Sequence, residues 1–132
     1  MSSTLYYTHN VAGITAYGKW ENVAGTVWNG SALEAFAVAN CGTYDVAAAE
    51  TPASSYRYAV TAPATLPAGT YKVTLYEQAG GSPAIGDQPF VDLLLRWDGT
   101  DLYDVSEWLR AQVSAGLALT AAERNATADA VL

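Results

Sequence analysis

Through the first ninety-seven residues the chain keeps one local rhythm. A run of strand-forming residues is followed by a Gly, Pro or Asn break, roughly every eight to twelve residues. That rhythm constrains the fold more than any other feature. A parallel sheet needs a crossover of about a dozen residues or more between neighbouring strands, and most of these breaks are too short to supply one. The runs are Leu5-Tyr6-Tyr7-Thr8, Gly13 to Trp20, Gly25-Thr26-Val27-Trp28, Tyr44 to Ala49, Ser55 to Val60, Thr70 to Glu77 and Phe90 to Trp97. They predict a mainly β fold: an antiparallel β-sandwich of about seven strands, Ig-like or jelly-roll-like, over residues 1–100.

Within these runs the faces can be read from the period of two. Ile14, Ala16, Gly18 and Trp20 fall on one side, and Thr15, Tyr17 and Lys19 on the other. Tyr71, Val73 and Leu75 are expected to point inward, and Tyr56, Tyr58 and Val60 to share a face. The unbroken apolar middle of Phe90-Val91-Asp92-Leu93-Leu94-Leu95 predicts cover on both faces. After Glu21-Asn22, the run Gly25-Thr26-Val27-Trp28 is the expected hairpin partner of Gly13 to Trp20, closed by Asn29-Gly30, which readily supplies the positive φ angles of a tight turn. Leu33 to Ala39 reads as a short helical turn or a crossover, with Ser31 as its cap.

From residue 101 to 132 the texture is helical. Asp104 with Glu107 forms one capping box, followed by Val105, Trp108, Leu109 and Val113 at helical spacing, and Gly116 suits a C-terminal cap. Thr120 with Glu123 opens a second box and an alanine-rich segment. Two short helices are expected, the last too lean in large apolar groups to stand without a neighbour.

The chemistry is sparse. A formal charge of −7, with six Lys and Arg against thirteen Asp and Glu, supplies no basic stripe for nucleic acid and disfavours an anionic membrane surface. No run is long and apolar enough for membrane insertion, and the N-terminus carries no signal-peptide pattern, so synthesis in the cytoplasm is expected. One histidine, His9, and one cysteine, Cys41, fall short of a zinc site, and no nucleophile elbow or phosphate-binding glycine loop occurs. His9 reads as a solvated loop residue and Cys41 as an inert thiol. No cofactor and no catalytic residue is expected. Asp98, Asp101 and Asp104 invite a calcium reading, yet they lack the central Gly and closing Glu of a calcium loop, so a turn and a helix cap fit them better.

Aromatic rings are the strongest binding signal. With nine Tyr and four Trp, the chain has more rings than one core requires. Tyr6, Tyr7, Tyr17, Tyr56, Tyr58, Trp20 and Trp28 either fill the volume left by alanine-rich strands or face a glycan or a protein partner, with Trp20, Trp28, Tyr56 and Tyr58 the leading candidates. Trp108, Leu109 and Val113 are the candidate interface on the first helix.

Three segments, Tyr17 to Trp28 with Asn29-Gly30, Pro67 to Pro83, and Leu95-Arg96-Trp97-Asp98-Gly99-Thr100, resemble small β-sandwich domains of tailed-phage and prophage structural proteins. Such domains occur in tail fibre, baseplate, appendage and decoration subunits. Leu119 to Leu132 looks like the helix that leads from such a sandwich into a stalk. The resemblance implies a non-enzymatic virion protein that assembles with copies of itself and with other virion proteins. Stopping at Leu132, where a fibre protein would continue, it points to a decoration or adaptor subunit. The alternative expectation is a carbohydrate-binding module.

Overall fold

The computed structural model describes residues 3–116. The fold is mainly β and antiparallel, built from nine strands and one helix among the described residues. The strands are β1 (Thr4–Thr8), β2 (Ala16–Asn22), β3 (Thr26–Trp28), β4 (Leu33–Ala35), β5 (Val46–Ala47), β6 (Arg57–Thr61), β7 (Gly69–Glu77), β8 (Gln88–Trp97) and β9 (Leu102–Asp104). A 3-10 helix, Val38–Thr43, follows β4, and α1 (Val105–Gly116) follows β9. The predicted second helix from Thr120, the side chain of Glu107 and that of Trp108 lie outside the described residues.

Seven strands form one sheet in the order β4-β3-β2-β7-β8-β9, with β5 pairing β2 off that path, and β1 pairs β6 in a second sheet. Its central ladder is long because both partners alternate well: β2 runs beside β7 from Ala16↔Glu77 to Asn22↔Tyr71. Ala16, Trp20, Tyr71, Val73, Leu75, Leu93, Leu95 and Trp97 all face one apolar cluster, which Tyr58 and Val60 of the second sheet complete.

The sheets are also joined through the backbone. Residues 46–48 bond to β2, through Tyr17↔Ala47 and the Ala48 N–H to Ala16 O. Three residues later the same strip serves β6, where Ala59 N–H donates to Ala49 O and Thr51 N–H to Arg57 O. One segment thus passes from sheet to sheet, and the isolated bridge Glu50↔Tyr58 links the large sheet's strip to the small sheet. No ladder joins β1 to β9 among the described residues.

Turn chemistry explains the hairpins. β2 and β3 pair as expected, and Asn22 Oδ1, which accepts from Ala24 and Thr26 N–H at 3.1 and 2.9 Å, shapes the turn between them. Asn29 Oδ1 accepts from Ser31 and Ala32 N–H, and Gly30 sits at φ 98°, which a glycine adopts at least cost. Asn29-Gly30 therefore joins β3 to β4 and, contrary to expectation, does not close the β2–β3 hairpin.

Several expectations are corrected. Leu33–Ala35 is a strand rather than a helical turn, and the helical piece comes afterwards. β8 is covered on one face only: Leu93 and Leu95 are buried, whereas Leu94 between them is 51% exposed. Tyr56 does not share the Tyr58 face, because its φ of 63° breaks the strand period before β6 begins. The run from Tyr44 to Ala49 keeps only two residues as a strand, since the strip bends there to change sheets. The sheet also extends past residue 100, the expected start of the helical tail, because Leu102–Asp104 pairs with β8.

Candidate ligand-binding groove

On the outer face of the large sheet, away from the core, a groove of about 300 Å³ runs along β2 and β7. Its floor is Lys19, Glu21, Lys72, Thr74 and Tyr76, with Val27 beside them; Phe36 and Ile85 form the walls. Period-two alternation places these floor residues there, since their neighbours Trp20, Val73 and Leu75 take the core side.

Each wall is carried on a loop, and each loop is tied down by one carboxylate. The loop before β8 is held by Asp87, which accepts from Tyr17 Oη at 2.6 Å, Ala84 N–H at 2.8 Å and Ala79 N–H at 3.2 Å. These donors, the Tyr17 hydroxyl foremost, hold the Asp87 carboxyl below its ordinary range. Tyr17 is pushed well above the ordinary phenol range, first by burial and then by the carboxylate it faces. The sequence pattern placed Tyr17 on the face opposite Trp20. It does lie on that face, but the loop covers it to 3% exposure.

Glu34 serves the other wall. It accepts from Asn29 Nδ2, from Asn40 Nδ2 at 3.0 Å and from Tyr44 Oη at 2.9 Å, and these bonds hold its carboxyl low. Tyr44 Oη in turn accepts the Ala37 N–H at 3.0 Å, and its ring lies 5.5 Å from Phe36. The position of Phe36 on the groove follows from this network.

Between the walls, the Lys19 ammonium sits 4.8 Å from the Tyr76 ring centre and 5.2 Å from that of Phe36. Such placement over ring faces is attractive through the ring quadrupole. Tyr76 also stacks on Tyr17 at 5.3 Å. Burial raises the Tyr76 hydroxyl, helped by the carboxylates of Asp92 and Glu21. Lys19 and Lys72 are the two lysines of the chain, and both line this groove. Neither has a carboxylate within ion-pair distance among the described residues.

The residues singled out from sequence lie elsewhere. Trp20, Trp28 and Tyr58 are buried in the core, so their rings are closed to a ligand. Tyr56 is exposed, and nearby Arg57 stacks over the exposed ring of Tyr6 at 3.9 Å. Leu109 and Val113 are exposed on α1. Asp98 accepts from Thr100 and Asp101 N–H in a turn, and Asp104 accepts from Ser106 N–H at the start of α1, each as the turn-and-cap reading expects. Among the described residues, no group of three or more His, Cys, Asp and Glu is placed to hold a metal ion.

His9 is also not the solvated residue expected. Its Nε2 lies 2.7 Å from Glu77 Oε1 and its ring stacks on Phe90 at 4.1 Å, tying the end of β1 to the end of β7. Sequence reasoning missed the groove because both walls come from loops that return to the sheet. The one available signal was the placement of both lysines on the non-core face of two strands.

No protein-family model matches the chain, and comparison with curated proteins and with solved structures finds no match.

Proposed function

We propose that this chain is a non-enzymatic docking subunit, a β-sandwich module of the kind found in the structural proteins of tailed phages and prophages. The observation that carries the reading is on α1. Leu109 and Val113, one helical turn apart, are 50% and 60% exposed, leaving an apolar stripe open to a neighbour. The ionisable groups support it from another side. Glu34, Glu50, Asp87, Asp98 and Asp104 each accept hydrogen bonds that shape a turn, a loop or a helix start. Side chains used in this way hold a shape and are not arranged around a reacting atom.

The sandwich belongs to the same proposal. Its seven-plus-two division, with one strip shared by both sheets, departs from the four-plus-three division of an immunoglobulin constant domain. A jelly-roll or a partly open barrel is the nearer comparison. Residence in the virion, partnership with copies of itself and with other virion proteins, and a helical tail beyond α1 complete the reading. For a glycan partner, Tyr6 and Tyr56 are the well-exposed rings of those first considered.

Light scattering on the purified protein, with sedimentation alongside phage particles, tests the reading. We expect association that the double variant Leu109→Ser/Val113→Ser abolishes without loss of the β-sheet signal. A strictly monomeric protein whose removal leaves particles unchanged overturns it.

A further inference from the structure

We infer that the gap between β1 and the β9–α1 junction is a binding site for a neutral glycan, with the Tyr6 ring as its platform. The site goes beyond the docking reading and does not rest on it, since it uses neither Leu109 nor Val113.

The gap measures about 400 Å³, within the roughly 300–1,000 Å³ usual for small-molecule sites. Leu5, Tyr6 and Tyr7 line it from β1, and Asp104, Ser106 and Arg110 from the junction. Strand alternation sorts the first group: Leu5 and Tyr7 pack against the core cluster, whereas Tyr6 points outward and is 47% exposed. The Tyr6 ring is held from outside the gap. Arg57 stacks on it at 3.9 Å and is not one of the lining residues. The guanidinium therefore fixes the ring before a ligand arrives, while the ring itself still borders the gap.

A sugar ring asks for this set of groups. Its faces carry C–H bonds, which suit the negative face of an aromatic ring, and its rim carries hydroxyls that both donate and accept. Across from Tyr6 the gap offers an acceptor, a planar donor fork and a hydroxyl. Asp104 receives the Ser106 N–H and hydroxyl at Oδ1, and no other donor among the described residues reaches its Oδ2. Ser106 Oγ, having given its proton to Asp104, can still accept. No described carboxylate lies within ion-pair distance of Arg110, so its fork is not consumed by an ion pair.

Charge selects a neutral ligand. Asp104 and Arg110 are one anion and one cation, so the described lining carries no net charge. Arg57 behind the ring adds one cation in a chain of net charge −7, too little to select an anion. Nucleic acid is repelled by the chain as a whole. An apolar face of a partner protein would strip water from Asp104 and Arg110 without replacing its hydrogen bonds, whereas sugar hydroxyls replace them.

The test follows the backbone amide shifts of the full chain titrated with methyl β-D-glucopyranoside, methyl β-D-galactopyranoside and cellobiose. Each is taken to about 10 mM, tenfold above a millimolar Kd, with glycerol and tetragalacturonic acid as controls. We expect at least one neutral sugar to shift the amides of Tyr6, Ser106 and Arg110. Tyr6→Ala and Arg110→Met should each weaken it about tenfold while circular dichroism is unchanged, and Tyr6→Phe, which keeps the ring, should retain it. Should Tyr6→Ala lose the β-sheet signal, Arg110→Met decides. Silence from all three sugars overturns the inference, as do shifts confined to other residues, equal shifts with glycerol, or preference for the galacturonic acid. Sugar binding by a chain that does not associate leaves this inference standing and removes the docking reading; association without sugar binding does the reverse.

Discussion

Gly18 of β2 lies directly opposite Leu75 of β7, and the leucine side chain occupies the space that a side chain at Gly18 would need. A Cβ built there would stand 3.1 Å from Leu75 Cδ2 and 3.1 Å from Val73 Cγ1. Both neighbours are fully buried in the core cluster, so neither can swing into solvent to make room.

Gly18→Ala should therefore destabilise the protein by about 1 kcal/mol, the lower end of the cost of overpacking a core. Chemical denaturation would measure it. Pairing the change with Leu75→Val should recover part of the loss, since the shorter side chain leaves room for the new methyl group. A double variant as unstable as the sum of the two singles would show that the contact is not the cause.

A gain is expected in the turn before β6. Ser54 is exposed and sits at φ 62°, where its Cβ is strained. Ser54→Gly relieves that strain at some cost in chain entropy, giving a net stabilisation of about 0.5 kcal/mol in the same denaturation assay. Its N–H, which donates to Glu50 Oε1 at 3.0 Å, is retained.

Acid should loosen the loops. Donated hydrogen bonds hold Glu34, Asp87 and Asp98 below the ordinary carboxylate range. At Glu50 burial pushes the other way, but three backbone N–H donors outweigh it. With depressed values, the folded chain binds fewer protons than the unfolded chain across this window. Their contribution is present above the unfolded carboxylate value of about 4 and is lost as pH falls through the folded values. Thermal midpoints measured downward from neutral pH should stay level and then drop below about pH 4.

Alkali should act through the tyrosines. Tyr17, Tyr44, Tyr58, Tyr71 and Tyr76 are all raised, burial being the first cause for each. A raised folded value means that stability is intact below the unfolded phenol value and is lost as pH rises past about 10. Ultraviolet absorbance of tyrosinate and the β-sheet signal should then change together. Phenols that ionise at their ordinary value in a folded protein would contradict this.

Glu34→Gln should free the segment that carries Phe36. Faster amide exchange at Ala37 and Asn40 is expected, with little change in β7. The Ala37 N–H donates to Tyr44 Oη, and that hydroxyl is held by Glu34.

The sequence disclosed most where one strand face alone decided burial. Tyr71, Val73 and Leu75 are inward as the period of two requires, and the turns at Asn29-Gly30 and Asp98-Gly99 follow from their side-chain chemistry. It misled where distant segments come together. Tyr17 is closed over by a loop some seventy residues away, anchored through Asp87, and nothing near Tyr17 in the chain announces that return. The apolar run around Leu94 carries no mark of which leucine stays wet, because its outer face is left open by the course of other segments. The groove shares this origin: its floor was legible as alternation, whereas its walls are products of loop closure.

The strip from Val46 to Thr51, which gives its first hydrogen bonds to β2 and its last to β6, works as a crease in a folded sheet. Layers joined through a crease are tethered to one another at a covalent strip, here Ala48 and Ala49, and not by side-chain packing alone. At the edges away from that strip, β1 and β9 lie near each other without a ladder among the described residues, so side chains alone, Tyr6, Tyr7, Asp104 and Arg110 among them, close the layers there around a gap of about 400 Å³.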